Sequence, residues 1–198
     1  MVKRLKCALA GIALLPLAAC VTPVGPVEVT RFHRGDAAPI ARGTIAVEPA
    51  PGADAGSLEW QSYRNAVMRQ LILLGYSEAA SGSGAQIAQV KLTRTTIQPG
   101  ASSGPVSVGV GGSTGTYGTG GGIGIGINLS PKPKAQVVTV LAVSIRDRAS
   151  DQVQWEGRAS FTVGTASPLA ATSLAAPKLS EALFLNFPGR SGETIEVK

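Results

Sequence analysis

Hydrophobic residues recur along this chain with two different periods, which predict helices in some segments and strands in others. Between positions 57 and 75, apolar side chains recur every three or four residues, so they share one face of a helix. Ser57 suits the N-cap because its hydroxyl accepts a hydrogen bond from an orphan backbone N–H, and Gly75 supplies a C-terminal stop. The predicted apolar face consists of Trp60, Tyr63, Val67, Leu71 and Leu74.

A period of two along the chain predicts β-strands in most of the remaining sequence. The clearest pair covers Val137–Ile145 and Val153–Phe161, which are separated by a polar turn. We expect an antiparallel hairpin whose first strand, apolar on both faces, is central and covered on both sides. Trp155 shares a face with apolar neighbours, so it is predicted to be a core residue rather than a ligand platform. Further strands are predicted at 27–32, 43–48, 86–96 and 194–197.

Residues 99–134 differ from the rest because Gly, Ser, Thr and Pro dominate and charge is almost absent. β-Branched residues still occupy alternate positions near 106–110 and 123–129, which predicts a strand pair within 105–129. One interpretation is an exposed or edge hairpin. The alternative is an apolar face that contacts a membrane or neighbouring copies of the chain. A pore is disfavoured without oligomerisation, because a spanning strand needs about 9–11 residues and its edges must be paired.

A second helix is predicted near 178–187, with Pro177 in its first turn and Phe187-Pro188-Gly189 at its end. Residues 168–176 are a candidate for an earlier helical piece. Together these elements predict an α+β fold, in which a mainly antiparallel β-sheet is packed by two helices and carries a Gly-rich hairpin insertion.

The N-terminal segment has the parts of a secretory signal in the right order. Three basic residues in the first six positions precede an apolar run, Cys7–Leu17. This run is shorter than the about 20 apolar residues of a membrane-spanning helix. The segment closes with Leu17-Ala18-Ala19-Cys20, which resembles a bacterial lipobox. The alternatives are an ordinary secreted protein in which Cys20 is incidental and an uncleaved anchor helix.

The lipobox resemblance implies signal cleavage between Ala19 and Cys20 and a diacylglyceryl thioether, often with a further acyl chain such as palmitate, at Cys20. Two or three chains would hold the protein durably, because each buried CH₂ adds about 0.8 kcal/mol to membrane binding. Val21 follows the cysteine in place of Asp, which favours sorting to the outer membrane as in enteric bacteria. We therefore expect a lipoprotein on the periplasmic face of the cell outer membrane.

The domain organisation follows from this processing. We expect residues 1–19 to be a signal peptide, residues 20–26 a lipidated tether, and residues 27–198 a single domain with its insertion at 99–134. Cys20 is then the only mature cysteine, so no internal disulfide is expected. The whole chain has a formal net charge of +6, of which the signal carries three positive charges. The remaining basic residues are scattered, which argues against a nucleic-acid partner.

Three stretches resemble a family of bacterial envelope lipoproteins, the domain of unknown function 4136 family. They are the helix end Leu73–Tyr76, the hairpin segments Ser144–Asp147 and Gln154–Ala159, and the terminal segment Leu185–Pro188. Their order and spacing, over roughly residues 27–190, are similar to that family, as is a glycine-rich insertion before the hairpin. This chain has one tyrosine in the insertion, where relatives often have several aromatic residues. The resemblance implies an envelope location and brings no known enzymatic activity.

Motifs of catalytic chemistry are weak in this chain. Residues Gly111–Gly115 match Gly-x-Ser-x-Gly, but a nucleophile elbow needs a preceding strand, a following helix and a downstream histidine. The single histidine, His33, lies upstream and beside Asp36, and a lone pair of this kind does not build a zinc site. His33 is predicted to be a solvated turn residue. Nucleotide-binding glycine motifs are absent from the sequence.

Acidic residues near the predicted hairpin, Asp151 and Glu156, favour ordinary cross-strand charge pairing over a glycosidase pair. We therefore predict no catalytic, cofactor-binding or metal residues, and only Cys20 as a modified site. The favoured function is a non-catalytic structural or interaction module of the envelope, with envelope proteins or further copies of the chain as partners. The alternative is an oligomeric, membrane-contacting component of an export or secretion apparatus. An enzyme would require polar residues that converge in a cleft.

Overall fold

A computed structural model describes residues 25–34, 40, 42–98, 106–115, 118–127 and 134–198. The predicted signal, its predicted cleavage site between Ala19 and Cys20, and the predicted lipidation site Cys20 lie outside the described residues, so all three remain predictions. In chain order the elements are β1 (Val27–His33), β2 (Thr44–Pro49), α1 (Leu58–Leu73), β3 (Ser77–Glu78), β4 (Gln86–Ile97), β5 (Val106–Gly115), β6 (Gly118–Ile127), β7 (Gln136–Asp147), β8 (Val153–Gly164), a 3₁₀ turn (Pro168–Ala170), α2 (Thr172–Phe184) and β9 (Thr194–Val197).

Seven strands form one sheet in the order β3-β2-β4-β7-β8-β1-β9. Strand β2 runs parallel to β3 and β4, whereas the other neighbouring pairs are antiparallel. The three long strands β4, β7 and β8 lie side by side at the centre. The predicted α+β fold with a mainly antiparallel sheet and two helices is therefore confirmed.

Both helices pack on one face of this sheet and form the core with it. Alternate residues of the central strands point to this face, as the period of two requires. Trp155 is among the largest of them and is 1% exposed, which confirms its predicted place in the core. Other fully buried core side chains are Val29, Ile45, Tyr63, Val67, Leu71, Val90, Leu141, Ile145, Leu179 and Leu183.

Helix α1 has the N-cap, the C-terminal glycine and the buried apolar face that the sequence predicts. The Ser57 hydroxyl accepts a hydrogen bond from the Trp60 backbone N–H at 3.1 Å, which confirms the N-cap. Gly75 ends the helix with a φ of +93°, a left-handed conformation that glycine adopts without strain. Four residues of the predicted apolar face are buried, and Leu74 packs partly buried against the core.

Helix α2 differs from its prediction. It begins at Thr172, so Pro177 lies inside the helix and not in its first turn. Proline removes one intrahelical hydrogen bond, but Ala175 and Ala176, directly before Pro177, are buried in the core, and this packing holds the early part of the helix in place. The candidate helical piece at 168–176 is a 3₁₀ turn, Pro168–Ala170, followed by the first residues of α2.

The Gly-rich insertion forms the predicted strand pair. Strands β5 and β6 make a separate two-stranded antiparallel sheet, in which Val106, Val108 and Val110 lie opposite Ile127, Ile125 and Ile123. Both strands are longer than expected, because pairing continues to Gly115 opposite Gly118. The Gly-x-Ser-x-Gly match therefore lies within β5 and is followed by a strand, which is not the backbone of a nucleophile elbow.

Candidate functional site

The face of the sheet opposite the helices carries a groove of about 510 Å³. Its floor is low because β7 presents short side chains, Ala142 and Ser144, between longer neighbours. The prediction that β7 is covered on both faces is wrong for the described residues: Val138, Val140 and Ala142 are partly exposed on this side. We call this concavity the open-face groove; it is lined by Thr30, Phe32, Ala50, Gln89, Lys91, Ala142, Val143, Ser144, Arg146, Glu156, Gly157 and Arg158.

Strand register arranges the groove in two rows across four neighbouring strands, β4, β7, β8 and β1. Neighbouring strands lie about 4.8 Å apart, so each row spans about 14 Å. Because residues of one row are paired through the sheet backbone, their spacing is fixed by the fold. One row runs Gln89, Ser144, Glu156 and Phe32; the other runs Lys91, Ala142, Arg158 and Thr30.

Positive charge exceeds negative charge in the open-face groove. Lys91, Arg146 and Arg158 line it together with one acid, Glu156. Arg146 pairs with Asp151, its Nη1 lying 2.9 Å from the Asp151 carboxylate. Within the described ranges, neither Lys91 nor Arg158 belongs to an ion pair, and both are exposed. The groove therefore offers two solvated cations, one on each wall.

Two buried polar atoms beneath the groove lack hydrogen-bond partners among the described residues. The Ser144 hydroxyl and the Arg146 Nε are buried and make no hydrogen bond within the described part of the chain. Both residues line the groove, and they lie two positions apart on β7, hence on the same face. Since buried polar groups are rarely left unpaired, these two atoms mark unused hydrogen-bonding capacity at this end of the groove.

An aromatic side chain stands at the edge of the same surface. Phe32 is 54% exposed, although the preceding outward positions of β1, Glu28 and Thr30, are polar. Its inward neighbour Arg31 is 4% exposed. The usual order of apolar residues inside and polar residues outside is thus inverted at the end of β1. Phe32 thus adds an exposed aromatic ring to the surface on which Lys91 and Arg158 are exposed.

Arg31 has a structural role on the helix face. Its Nε and Nη2 donate to the carbonyl oxygens of Leu183 and Ala182, each at 2.9 Å. These carbonyls end α2 and lack intrahelical partners, and the cation also opposes the negative end of the helix dipole. Burial lowers the pKa of Arg31, and the Glu193 carboxylate works in the opposite direction.

Histidine and tryptophan attach the segment after α2 to the sheet. His33 is not the predicted solvated turn residue: it ends β1, is half-buried, and its Nε2 lies 3.2 Å from the Gly189 carbonyl oxygen. The Trp155 indole N–H donates to the Pro188 carbonyl oxygen at 3.0 Å. The Trp155 ring also stacks on Phe184, with 5.3 Å between ring centroids. These contacts belong to the packing of the fold.

The remaining residues singled out from the sequence are dispersed. Asp151 pairs with Arg146 outside the groove floor, Glu156 lines the groove, and Asp36 lies outside the described residues. Among the residues that the structure describes, no three His, Cys, Asp or Glu side chains are grouped as a metal site. No helix in the described ranges combines the length and apolar character needed to cross a bilayer.

Comparison with known proteins adds little to this geometry. No family model matches the chain, and no curated protein matches it. A PDZ domain protein from Parabacteroides distasonis is similar at a TM-score of 0.48 and 9% identity, over 87% of this chain and 39% of that one. The PelC dodecamer from Paraburkholderia phytofirmans is similar at a TM-score of 0.41 and 13% identity, over 83% and 99%. The chain thus spans well under half the length of the first of these proteins.

Proposed function

We propose that the protein is a lipid-anchored, non-catalytic interaction module of the bacterial cell envelope. The open-face groove is the observation that carries the proposal, because it gathers an exposed aromatic ring and two solvated cations on a surface that the helices leave free. The lipobox-like Leu17–Cys20 supports an anchor on the periplasmic face of the outer membrane. The resemblance to the domain of unknown function 4136 family supports the same location.

The proposed anchor would keep the groove close to the membrane. From Cys20 to Pro26 the tether has seven residues, and an extended chain spans at most about 3.6 Å per residue. The start of β1 therefore lies within about 25 Å of the modified cysteine. A partner that meets the groove is then a component of the space next to the membrane.

Anchoring is tested by replacing the modified cysteine. The Cys20→Ser variant is expected to lose radiolabelled palmitate and to leave the membrane fraction, because no thioether can form. Cys7→Ser is the matched control: it lies in the predicted signal, so labelling and processing are expected to continue. Palmitate on Cys20→Ser, or none on the native protein, would contradict the anchor.

The interaction surface is tested by photo-crosslinking in living cells. A photoreactive residue at Thr30, in the groove, is expected to form a discrete adduct with an envelope component. The same residue at Arg69, exposed on α1 behind the opposite face of the sheet, is the control and is expected to form none. Equal adducts from both positions, or none from Thr30, would contradict an interaction through the groove.

A second candidate function is the oligomeric, membrane-contacting component, and one topological observation favours it. Glu28, at the start of β1, lies opposite Ser160, which in turn lies opposite Val140. The chain leaves the sheet for the hairpin after Ile97 and returns at Gln136, at this same end. The tether and the hairpin therefore join the sheet at one end, so an anchored protein would hold the base of the hairpin near the bilayer.

Deletion of residues 105–129 tests this second candidate. The shortened protein is expected to lose self-association and to extract from membranes under milder detergent conditions, while circular dichroism shows the remaining sheet intact. The comparison variant is Cys20→Ser with the hairpin kept, which separates hairpin contacts from lipid anchoring. Unchanged oligomeric state, detergent behaviour and envelope phenotype after deletion would rule this candidate out.

A further inference from the structure

We propose that the open-face groove binds an acidic oligosaccharide that carries carboxylates on its sugar rings. The charge of the groove, its shape and its exposed aromatic ring support this proposal. This inference rests on the proposed function only in treating the groove as a binding surface. Three features carry it: the excess of cations, the exposed aromatic ring, and the position of the groove within the sheet.

Charge complementarity selects an anionic ligand. Lys91 and Arg158 stand on opposite walls, and both are exposed and outside the ion pairs of the described residues. The charge of Arg146 is paired with Asp151, but its Nε lacks a hydrogen-bond partner among the described residues and adds a donor. A carboxylate accepts charge-assisted hydrogen bonds from guanidinium and ammonium groups, which are stronger than neutral ones. A ligand with several spaced carboxylates could use both walls at once.

The polar and aromatic groups between the cations favour sugar rings. Phe32 offers an exposed ring against which the apolar face of a sugar can pack, and such a surface needs only a few polar groups for orientation. Glu156, Gln89 and Ser144 lie in the same row as Phe32 and provide hydrogen-bond acceptors and donors for hydroxyl groups. An acid such as Glu156 in an otherwise cationic groove suits a ligand that has hydroxyl donors as well as carboxylates.

The place of the groove in the sheet disfavours a peptide strand. Peptides commonly add to a sheet edge, where unpaired backbone groups receive them. Strands β7 and β8 are paired on both sides, whereas β4 is paired with β2 only as far as Val90 and β1 with β9 only as far as Thr30, so the floor of the groove lies in the interior of the sheet. The backbone groups of β7 and β8 are used in strand pairing, so recognition at the floor of the groove must come from side chains. A width of about 14 Å accommodates a short oligomer laid across the strands.

The experiment measures binding to the full chain purified in detergent, so that it is independent of anchoring. Tetragalacturonate is the acidic probe, maltotetraose is the uncharged sugar and tetraglutamate is the acidic peptide. Calorimetry is expected to show binding of tetragalacturonate only, weakening as salt is raised. Phe32→Ala, Arg158→Gln and Lys91→Gln are each expected to weaken it by about tenfold, the order of one charged hydrogen bond or one stacked ring.

Control variants distinguish a loss of sugar binding from a loss of folding or of the lipid anchor. Arg69→Gln, on the exposed side of α1, is expected to bind like the native protein, and unchanged thermal unfolding shows that the groove variants remain folded. Tetragalacturonate binding no tighter than maltotetraose binding, equal binding of tetraglutamate, or three groove variants that bind like the native chain would each overturn the inference. Palmitate labelling without sugar binding would refute the inference alone; sugar binding without labelling would refute the anchor alone.

Discussion

Trp155 lies across Gly157, two residues further along β8. A Cβ atom on Gly157 would sit 2.8 Å from Cζ2 of the Trp155 ring and 2.8 Å from Cδ1 of Leu183, closer than real Cβ atoms approach other atoms. The indole uses the space left by the missing side chain to stack on Phe184 of α2. Gly157 is therefore a packing requirement of the contact between sheet and helix.

Gly157→Ala is expected to destabilise the protein, because the added methyl must displace a rigid indole ring and a buried leucine. Overpacking of this kind typically costs about 1–3 kcal/mol in the free energy of unfolding. Urea denaturation followed by tryptophan fluorescence measures it. Gly164→Ala is the matched control on the same strand, since no atom lies within 4 Å of its added Cβ. Equal losses for the two variants would show that Trp155 does not need the glycine.

Local patterns in the sequence predicted most of the elements but not the groove. Ser57, Gly75 and the apolar period of α1 act within a few residues of chain, so their roles were readable from spacing. The groove depends on strand order and register: Gln89 meets Ser144, and Ser144 meets Glu156, only because β7 lies between β4 and β8. These pairings bring together distant parts of the chain, and sequence alternation does not specify them.

One signal in the sequence of β1 points to the groove. In β1 the inward positions are Val27, Val29 and Arg31, and the outward positions end with Phe32. A charged residue at an inward-facing position, followed by an aromatic residue at an outward-facing position, indicates that each side chain has a specific role. Arg31 caps α2, and Phe32 borders the groove. Strand β3 had no comparable signal, because two residues are too short to show a period.

Arg31→Met is expected to loosen the end of α2. The carbonyl oxygens of Ala182 and Leu183 would lose their buried donors, and an unsatisfied buried polar group costs about 1–3 kcal/mol. Hydrogen exchange should therefore accelerate in residues 183–193 more than in α1, together with a lower midpoint of urea unfolding. Arg34→Gln, at an exposed position, is the control and should change neither. Unaltered exchange at 183–193 in Arg31→Met would show that the cap contributes nothing.

Tyr63→Phe is expected to leave stability unchanged or to raise it by about 1 kcal/mol. Burial raises the pKa of the Tyr63 hydroxyl, chiefly through desolvation. This hydroxyl is buried without a hydrogen-bond partner among the described residues, so removing it ends an uncompensated desolvation cost. Tyr63→Ala, which deletes the whole ring from the core, should instead cost about 3–5 kcal/mol. A clear loss of stability in Tyr63→Phe, measured by urea denaturation, would reveal a partner for the hydroxyl.

Protonation of Glu48 is expected to lower the stability of the fold at acidic pH. Burial opposes its ionisation, but hydrogen bonds from Arg148 at 2.6 Å and from the Gly82 backbone N–H outweigh this, and its pKa is lowered from the ordinary value of 4.5. The Glu48 carboxylate therefore stabilises the fold above pH 4.5, and this contribution is lost as pH falls through the lower pKa of the folded state. Arg148 also donates to the carbonyl oxygens of Ser83 and Gly84, so the same group fixes the turn before β4.

Glu48→Gln is accordingly expected to lower the melting temperature at neutral pH. Its deficit against the native protein should shrink as the pH falls below 4.5 and through the lowered pKa of Glu48 in the folded state. Thermal unfolding at a series of pH values measures this difference. Glu181→Gln is the matched control, because Glu181 is exposed on α2 and outside the ion pairs of the described residues, and its melting temperature should follow the native curve. A Glu48→Gln deficit that stays constant over the whole pH range would mean that the variant loses packing and not the charge on Glu48.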